Sequence, residues 1–544
     1  MSYDPIALGI QWDRLISIAD EIINSLVRTS FSTNVRESYD LSCVVFDRQG
    51  RSIAQGAYSV PSFTGTAPAT LAHMLRRFPA ETLEPGDVIA TNDPWIGTGH
   101  LFDINVMQPV FRKGALVGYT MSITHLPDIG GSGFGATARE VYEEGLRLPI
   151  TKLARAGRID DYLIELIRDN VRVADQTIGD VMANVACTTV GGRMLVEFMD
   201  EYGIDDLTPL ADAILGFSEK AIRDEIRRIP AGVYRNQIGI EGHDTALTLA
   251  CALTVADGEV HADFTGSSPA IKAAINVPLC YTRAMSCYAV KCLTTPKIPN
   301  NEGSVRPIHV VAPEGCVLNA VPPSPTGGRH IIGHFVNPLI FGALAQALPE
   351  RVQADSGMLN LINVQGRTRD GRGVSSIFFA SGGFGALDRL DGAPTTPSPS
   401  NMTGTPIEVW ENLTGMLVES KSLLADSGGP GRYRGGLGQQ IELINDSGQD
   451  MSVACLAGRT EFPPLGVLGG RPGGAREIRI NGQTVHPKGR YVLAPGDRIT
   501  TLEAGGGGYG DPAERAPDAL AADLRAGYVT PEAARRDYGS KRGA

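Results

Sequence analysis

The chain has 544 residues, 42% of them hydrophobic, and a net charge of −11. It is long enough for three or four domains with sizeable cores. Its acidic balance argues against nucleic acid or an anionic membrane surface as a general partner. No apolar run approaches the roughly 20 residues that span a bilayer, and the opening MSYDPIALGIQWDRL lacks a signal-peptide core. Eight cysteines with no Cys-x-x-Cys pair fit reduced thiols, so a cytoplasmic location is expected. The 65 glycines and 35 prolines exceed the usual share of roughly 12% and predict many turns and much β structure.

In chain order, residues 8–30 carry apolar positions at helical spacing. Leu41 to Phe46 reads as a short buried strand with Asp47 to Gly50 as its turn, and Asp40 stands just ahead of it. The small-residue patch PSFTGTAPATL leads into a helix ending near Phe78, and Val88 to Thr91 is a further strand. The next stretch, NDPWIGTGHLFDINVMQPVFRKGALVGYTMSITHLPDIGG, organises the rest. It holds His-x-x-Asp twice, as His100–Asp103 and His125–Asp128. Two strand-like runs flank the connector Arg112-Lys113-Gly114-Ala115, which reads as a β-hairpin. A turn centred near Lys113–Gly114 places Asp103 opposite Thr124, beside His125, and brings both motifs to one open end. Two imidazoles and two carboxylates there form a mixed N/O set suited to zinc, manganese or ferrous iron. The alternative is that each Asp is a turn or capping residue.

Gly131 to Ala136 matches a permissive dinucleotide fingerprint, but no βαβ unit with a placed acidic residue follows. It is read as a substrate-side loop, with Arg139 and Glu140 as candidate polar contacts and surface salt bridging as the commoner role for each. Residues 160–229 are strongly helical, and Gly232 to Val311 is a β region with one helix near residues 281–293. Gly327-Gly328-Arg329-His330 opens a helix through Leu348. His330 and His334 stand at i, i+4 without a zincin context, so packing or substrate contact is expected of them. The last third is rich in glycine, lacks a P-loop and ends in a helix-turn-helix tail. The expected class is α+β, multi-domain, with β-rich domains and a central helical layer. The expected divisions are 1–159, holding the metal site; 160–231, helical; 232–385, mixed β/α; and 386–544, Gly-rich β with the helical tail.

ESYDLSCVVFD, NDPWIGTGHLFD, THLPDIGG, DFTGSSP, IPNNEGSVRPI, DSGGPGRYRGGLGQ, GGGGYGDPAER and the closing YG together resemble the hydantoinase B/oxoprolinase family nearly end to end. Its members include B subunits of ATP-dependent hydantoinases and caprolactamase, the C-terminal half of single-chain 5-oxoprolinase, and subunits of acetone and acetophenone carboxylases. The resemblance implies a hydantoinase A-type partner that carries the ATP site. It also implies a zinc or manganese site at Asp40, His100, Asp103, His125 and Asp128. The expectation is a catalytic B subunit of an ATP-dependent cyclic-amide hydrolase, in a hetero-oligomer. His125 and Asp128 are its catalytic residues, and Asn92, Asp93 and Arg139 its substrate contacts. A ketone carboxylase subunit and a non-catalytic scaffold are the rival readings. Many relatives carry a histidine where this chain has Phe63.

Overall fold

A computed structural model describes residues 4–539. Its first sheet has seven strands: β1 (Leu41–Asp47), β2 (Ser52–Gln55), β3 (Val88–Thr91), β4 (Asp103–Arg112), β5 (Ala115–His125), β6 (Thr151–Arg155) and β7 (Arg158–Ile159). Their order is β2-β1-β5-β4-β3-β6-β7, and every pairing is antiparallel. The β4–β5 hairpin turns on Lys113 and Gly114 with φ of 50° and 82°. A two-residue turn with this twist needs left-handed values at both positions.

The register differs by one residue from expectation. An irregularity between Val110 and Phe111 sets Asp103 against His125, and Ile104 against Thr124. An extra residue on one strand shifts every later pair, and here it moves the two functional side chains into direct opposition.

Both faces of this sheet are buried, which the period-2 alternation of strands makes visible. On β1, Val44 and Phe46 join one core while Leu41, Cys43 and Val45 join another. The second core is roofed by the helices Pro5–Thr29, Ala174–Glu201 and Thr208–Ile226. The first of these starts on Asp4, whose carboxylate caps Ala7 N at 2.9 Å, with Pro5 at the first helical position. The long helix meets the sheet through polar side chains too. Asn184 Nδ2 donates to Thr124 Oγ1 at 2.8 Å, and Thr120 Oγ1 to Thr188 O at 2.9 Å. The helical segment therefore shares a core with the N-terminal sheet across residue 160.

The first core continues into residues 232–344. There β8 (Gly232–Glu241), β9 (Ala246–Ala256), β10 (Glu259–Asp263) and β11 (Ile308–Val311) form a sheet in the order β11-β10-β9-β8, interrupted by the helix Leu279–Thr294. The helix expected from Gly327 to Leu348 is broken into His330–Gly333 and Val336–Leu344. Pro338 has no N–H to offer the His334 carbonyl and crowds it, which explains the interruption.

Two more sheets, of four and five strands, build the C-terminal part around a third core that includes Trp410. Its glycine-rich segments lie backbone against backbone. A Cβ on Gly435 would stand 1.9 Å from Gly506 O, so no side chain fits there. The tail forms the expected pair of helices, Pro517–Ala526 and Pro531–Tyr538. Among the described residues, no helix is long and apolar enough to cross a membrane.

Candidate functional site

The mouth of the β4–β5 hairpin closes over a buried cavity of about 40 Å³, whose walls include Asp40, His100, His125, Arg329 and His330. That volume holds an ion and one or a few waters. A second cavity of about 210 Å³ shares His334 as a wall.

Sheet register assembles the donors. Asp103 begins β4 and His125 ends β5 directly opposite. Asp40 precedes β1, the other neighbour of β5, and its carbonyl accepts from His125 N at 3.1 Å. His100 lies in the loop entering β4, its ring centroid 5.1 Å from that of His125. Both rings are fixed by backbone carbonyls. His100 Nδ1 lies 2.9 Å from Gly327 O, and His125 Nδ1 lies 2.9 Å from Leu126 O. A carbonyl accepts only from a protonated Nδ1, which leaves a lone pair on each Nε2.

Those Nε2 atoms, with Asp103 Oδ1, are buried and without a hydrogen-bond partner. His100 Nε2 and Asp103 Oδ1 face each other at 3.0 Å, the order of separation of two ligands on one ion. Buried polar atoms are normally satisfied, so the unpartnered acceptors of His100, Asp103 and His125 at one strand end are compatible with a bound cation. No three ligand atoms of this set lie within 4.8 Å of one another, so holding one ion requires the side chains to close on it. The set Asp40, His100, Asp103 and His125 could hold a transition metal of the zinc or manganese kind.

The electrostatics agree with that fit. Burial, helped by the charge of Asp103, pushes the Asp40 carboxyl up to about 8. Burial also pushes Asp103 upward, but the positive charge of His100 when that ring is protonated, and of Arg329 at all times, holds it well below the usual carboxylate range. Burial, with His100 beside it, pushes His125 down to about 3, and burial lowers His100 as well. The imidazoles are thus neutral, the form that ligates.

Arg329 is the cation already present. Its Nη2 donates to Asp103 Oδ2 at 2.6 Å, its Nε to Thr98 O at 2.6 Å, and its guanidinium lies 4.5 Å from the Tyr281 ring centroid. Thr98 Oγ1 adds a 2.6 Å hydrogen bond to the same Asp103 oxygen. Glu144 braces the loop that holds His100, accepting from Thr326 N at 2.7 Å and Gly327 N at 2.6 Å. Burial pushes its carboxyl up to about 8.

The structure separates Asp128 from the cluster. It is fully buried, and its oxygens accept from Gly130 N at 3.1 Å, Arg172 Nη1 at 2.9 Å and Arg172 N. The chain turns away after His125, so the second His-x-x-Asp does not repeat the geometry of the first. Asp128, expected as a ligand and catalytic base, is placed here as a loop anchor and is not among the cavity walls.

The residues expected as substrate contacts are placed as follows. Asn92 staples two loops, donating to Leu101 O at 2.7 Å and Leu146 O at 2.9 Å and accepting from Leu148 N at 2.6 Å. Asp93 accepts from Trp95 N at 3.0 Å and Arg147 Nε at 3.0 Å. Arg139 and Glu140 are exposed. The loop after Gly131 does reach the site through Phe134, whose ring packs 5.0 Å from His125 and 6.0 Å from His330. Phe63 is a core residue, and its neighbour Ser62 is the one that lines the cavity.

Arg329 and Glu144 escape the sequence reading, which assigns His330 and His334 to packing or substrate contact. His330 Nε2 is buried and unpartnered, and burial with His334 alongside keeps its ring neutral. A Gly-Gly-Arg-His run opening a helix is the available signal.

The hydantoinase B/oxoprolinase family model matches residues 4–512. The beta chain of the caprolactamase of Pseudomonas jessenii is 31% identical over 98% of this chain and 96% of its own length. A putative D-/L-hydantoinase B chain from Pseudomonas sp. (strain NS671) is 29% identical over 98% and 95%. The crystal structure of the ATP-dependent caprolactamase from Pseudomonas jessenii superposes with a TM-score of 0.89 at 27% identity, covering 100% of this chain and 98% of that one. The chain belongs to the hydantoinase B/oxoprolinase family.

Proposed function

We propose that this chain is the metal-bearing subunit of an ATP-dependent cyclic-amide hydrolase, working with a hydantoinase A-type partner that uses the ATP. The observation that carries this reading is that His100 Nε2, His125 Nε2 and Asp103 Oδ1, all buried and unpartnered, are gathered at one strand end beside Asp40. The partner is inferred from the relatives, whose names mark them as the B or beta component of a multi-subunit enzyme. A cyclic amide is resonance-stabilised and a poor electrophile, and phosphorylation of its oxygen by the partner would create a leaving group.

A zinc or manganese ion in this set would supply Lewis acidity and would lower the pKa of water toward neutrality. The chain's own groups do the rest. Gly327 and Leu126 hold the two imidazoles in the ligating tautomer. Arg329 keeps Asp103 ionised and fixes its orientation. Phe134, Leu361, Phe379 and Met402 wall the cavity with apolar surface, which excludes bulk water and strengthens electrostatic interactions inside. His330, neutral and unpartnered at Nε2 on the cavity wall, offers a hydrogen-bond acceptor to substrate or water there. The 210 Å³ cavity, which shares His334 with the smaller one, is lined in part by the polar side chains of Asn337, Gln353 and Ser356.

The test is co-purification with the A-type subunit, then assay with ATP over hydantoins, lactams and 5-oxoproline, with and without bicarbonate. Ring opening that needs both chains and ATP and ignores bicarbonate is expected. Strict bicarbonate dependence with a product one carbon larger would overturn the hydrolase reading in favour of a carboxylase. Robust ATP hydrolysis by this chain alone would refute the division of labour.

A further inference from the structure

The parallel pair β10–β11 carries a second set of ligand-type side chains outside the hairpin cavity. Along β10, buried Val260 and Ala262 alternate with the outward residues Glu259 and His261. The register places His309 of β11 beside His261. Their rings stack with centroids 4.5 Å apart and planes 22° apart. Glu259 Oε2 lies 3.3 Å from Nε2 of His261 and 3.3 Å from Nε2 of His309, and the three ligand atoms all lie within 4.8 Å of one another.

A separation near 3.3 Å is the edge of a tetrahedron whose metal–ligand bonds are about 2.0–2.1 Å. The carboxylate is also oriented for the task. Its other oxygen accepts from Arg223 Nη1 at 2.9 Å, and Arg223 Nε is held by Glu219 Oε1 at 2.9 Å. Partners of this kind, behind a ligand, set its direction, and Glu219 offsets the arginine charge. The histidine side chains are 54% and 46% exposed, so an ion can enter and water can take the fourth position.

The comparable group His243, Asp244 and His486 lacks this readiness. His486 Nε2 lies 2.9 Å from His243 O, and its Nδ1 accepts from Lys488 N at 3.2 Å. Both of its nitrogens are already engaged.

We propose that Glu259, His261 and His309 form a surface site for a divalent transition metal of the zinc type, which clamps the edge strand β11 to β10. The inference is independent of the proposed catalytic role. β11 pairs only with β10 in its sheet and returns from the helix Leu279–Thr294. An ion bound to the folded pair alone stabilises it by mass action.

The experiment titrates cobalt(II), and separately zinc, into chelator-stripped full-length protein. The variants are His261→Ala/His309→Ala, whose sites are half-exposed, and Glu259→Gln, which keeps both imidazoles. Wild type should bind one ion per chain more than the double variant, and Glu259→Gln should bind that ion at least tenfold more weakly. Zinc should slow amide exchange in residues 308–311 of wild type and leave the double variant unchanged. Equal ion counts in wild type and double variant, or zinc-insensitive exchange in wild-type β11, would overturn the proposal. In that case Glu259 simply accepts from two imidazoles.

Discussion

Asp128→Asn separates an anchoring role from a chemical one. The carboxylate is fully buried and takes three hydrogen bonds, from Gly130 N, Arg172 N and Arg172 Nη1. Asparagine keeps the shape but turns one oxygen into a donor, which must then face another donor in either orientation. Losing a hydrogen bond to a charged acceptor costs about 1.5–3 kcal/mol. The ion pair adds at most about 1 kcal/mol, because the Arg172 side chain is 42% exposed and screened by solvent. A loss of about 2–4 kcal/mol in local stability corresponds to roughly 30- to 1,000-fold faster exchange through local opening. Hydrogen exchange of the segments 126–131 and 170–174 in wild type and variant is the assay. Unchanged protection combined with a hundredfold or greater loss of turnover would refute the anchoring assignment and return Asp128 to the chemistry.

Glu144→Gln tests a pH effect of defined sign. With its pKa raised from 4.5 to about 8, folded Glu144 binds a proton that the unfolded chain has released between those values, so stability falls as pH rises through that window. Glutamine removes this component, so the drop in thermal midpoint between pH 5.5 and 8 should shrink; an identical drop in both proteins would contradict it. Arg329→Met removes the cation from a buried pair in which the side chains of Arg329 and Asp103 are 6% and 1% exposed. Breaking such a pair costs about 3–5 kcal/mol. The loss of thermal stability should be smaller when manganese or zinc is added, because a bound cation would compensate Asp103; a metal-independent loss, or none, would argue against the shared site.

The hairpin was legible because alternation and turn chemistry are local. Lys113–Gly114 takes left-handed values, and the strands run as their apolar patterns require. The irregularity at Val110–Phe111 left no mark in the pattern, so the expected partner of Asp103 was Thr124 where the structure has His125. The repeated His-x-x-Asp misled for a related reason. Equal spacing gives equal geometry only on equal backbones. Asp103 opens a strand, whereas Asp128 follows one, on a loop tied to Arg172 from 44 residues away. Arg329 reaches Asp103 across 226 residues, and no periodicity reports a contact of that span. The buried character of Phe63 was likewise a tertiary fact, because its neighbours in the core come from several elements. Where one element decides an outcome, the sequence sufficed. Where two distant elements meet, only the fold could tell.

The most direct test of the central claim is metal analysis of full-length protein carrying His261→Ala/His309→Ala, so that only the buried donors count. The expected result is about one zinc or manganese ion per chain, retained in Asp128→Asn and sharply reduced in His100→Ala and in His125→Ala. Absence of the ion from the parent, or full occupancy in both histidine variants, would contradict it.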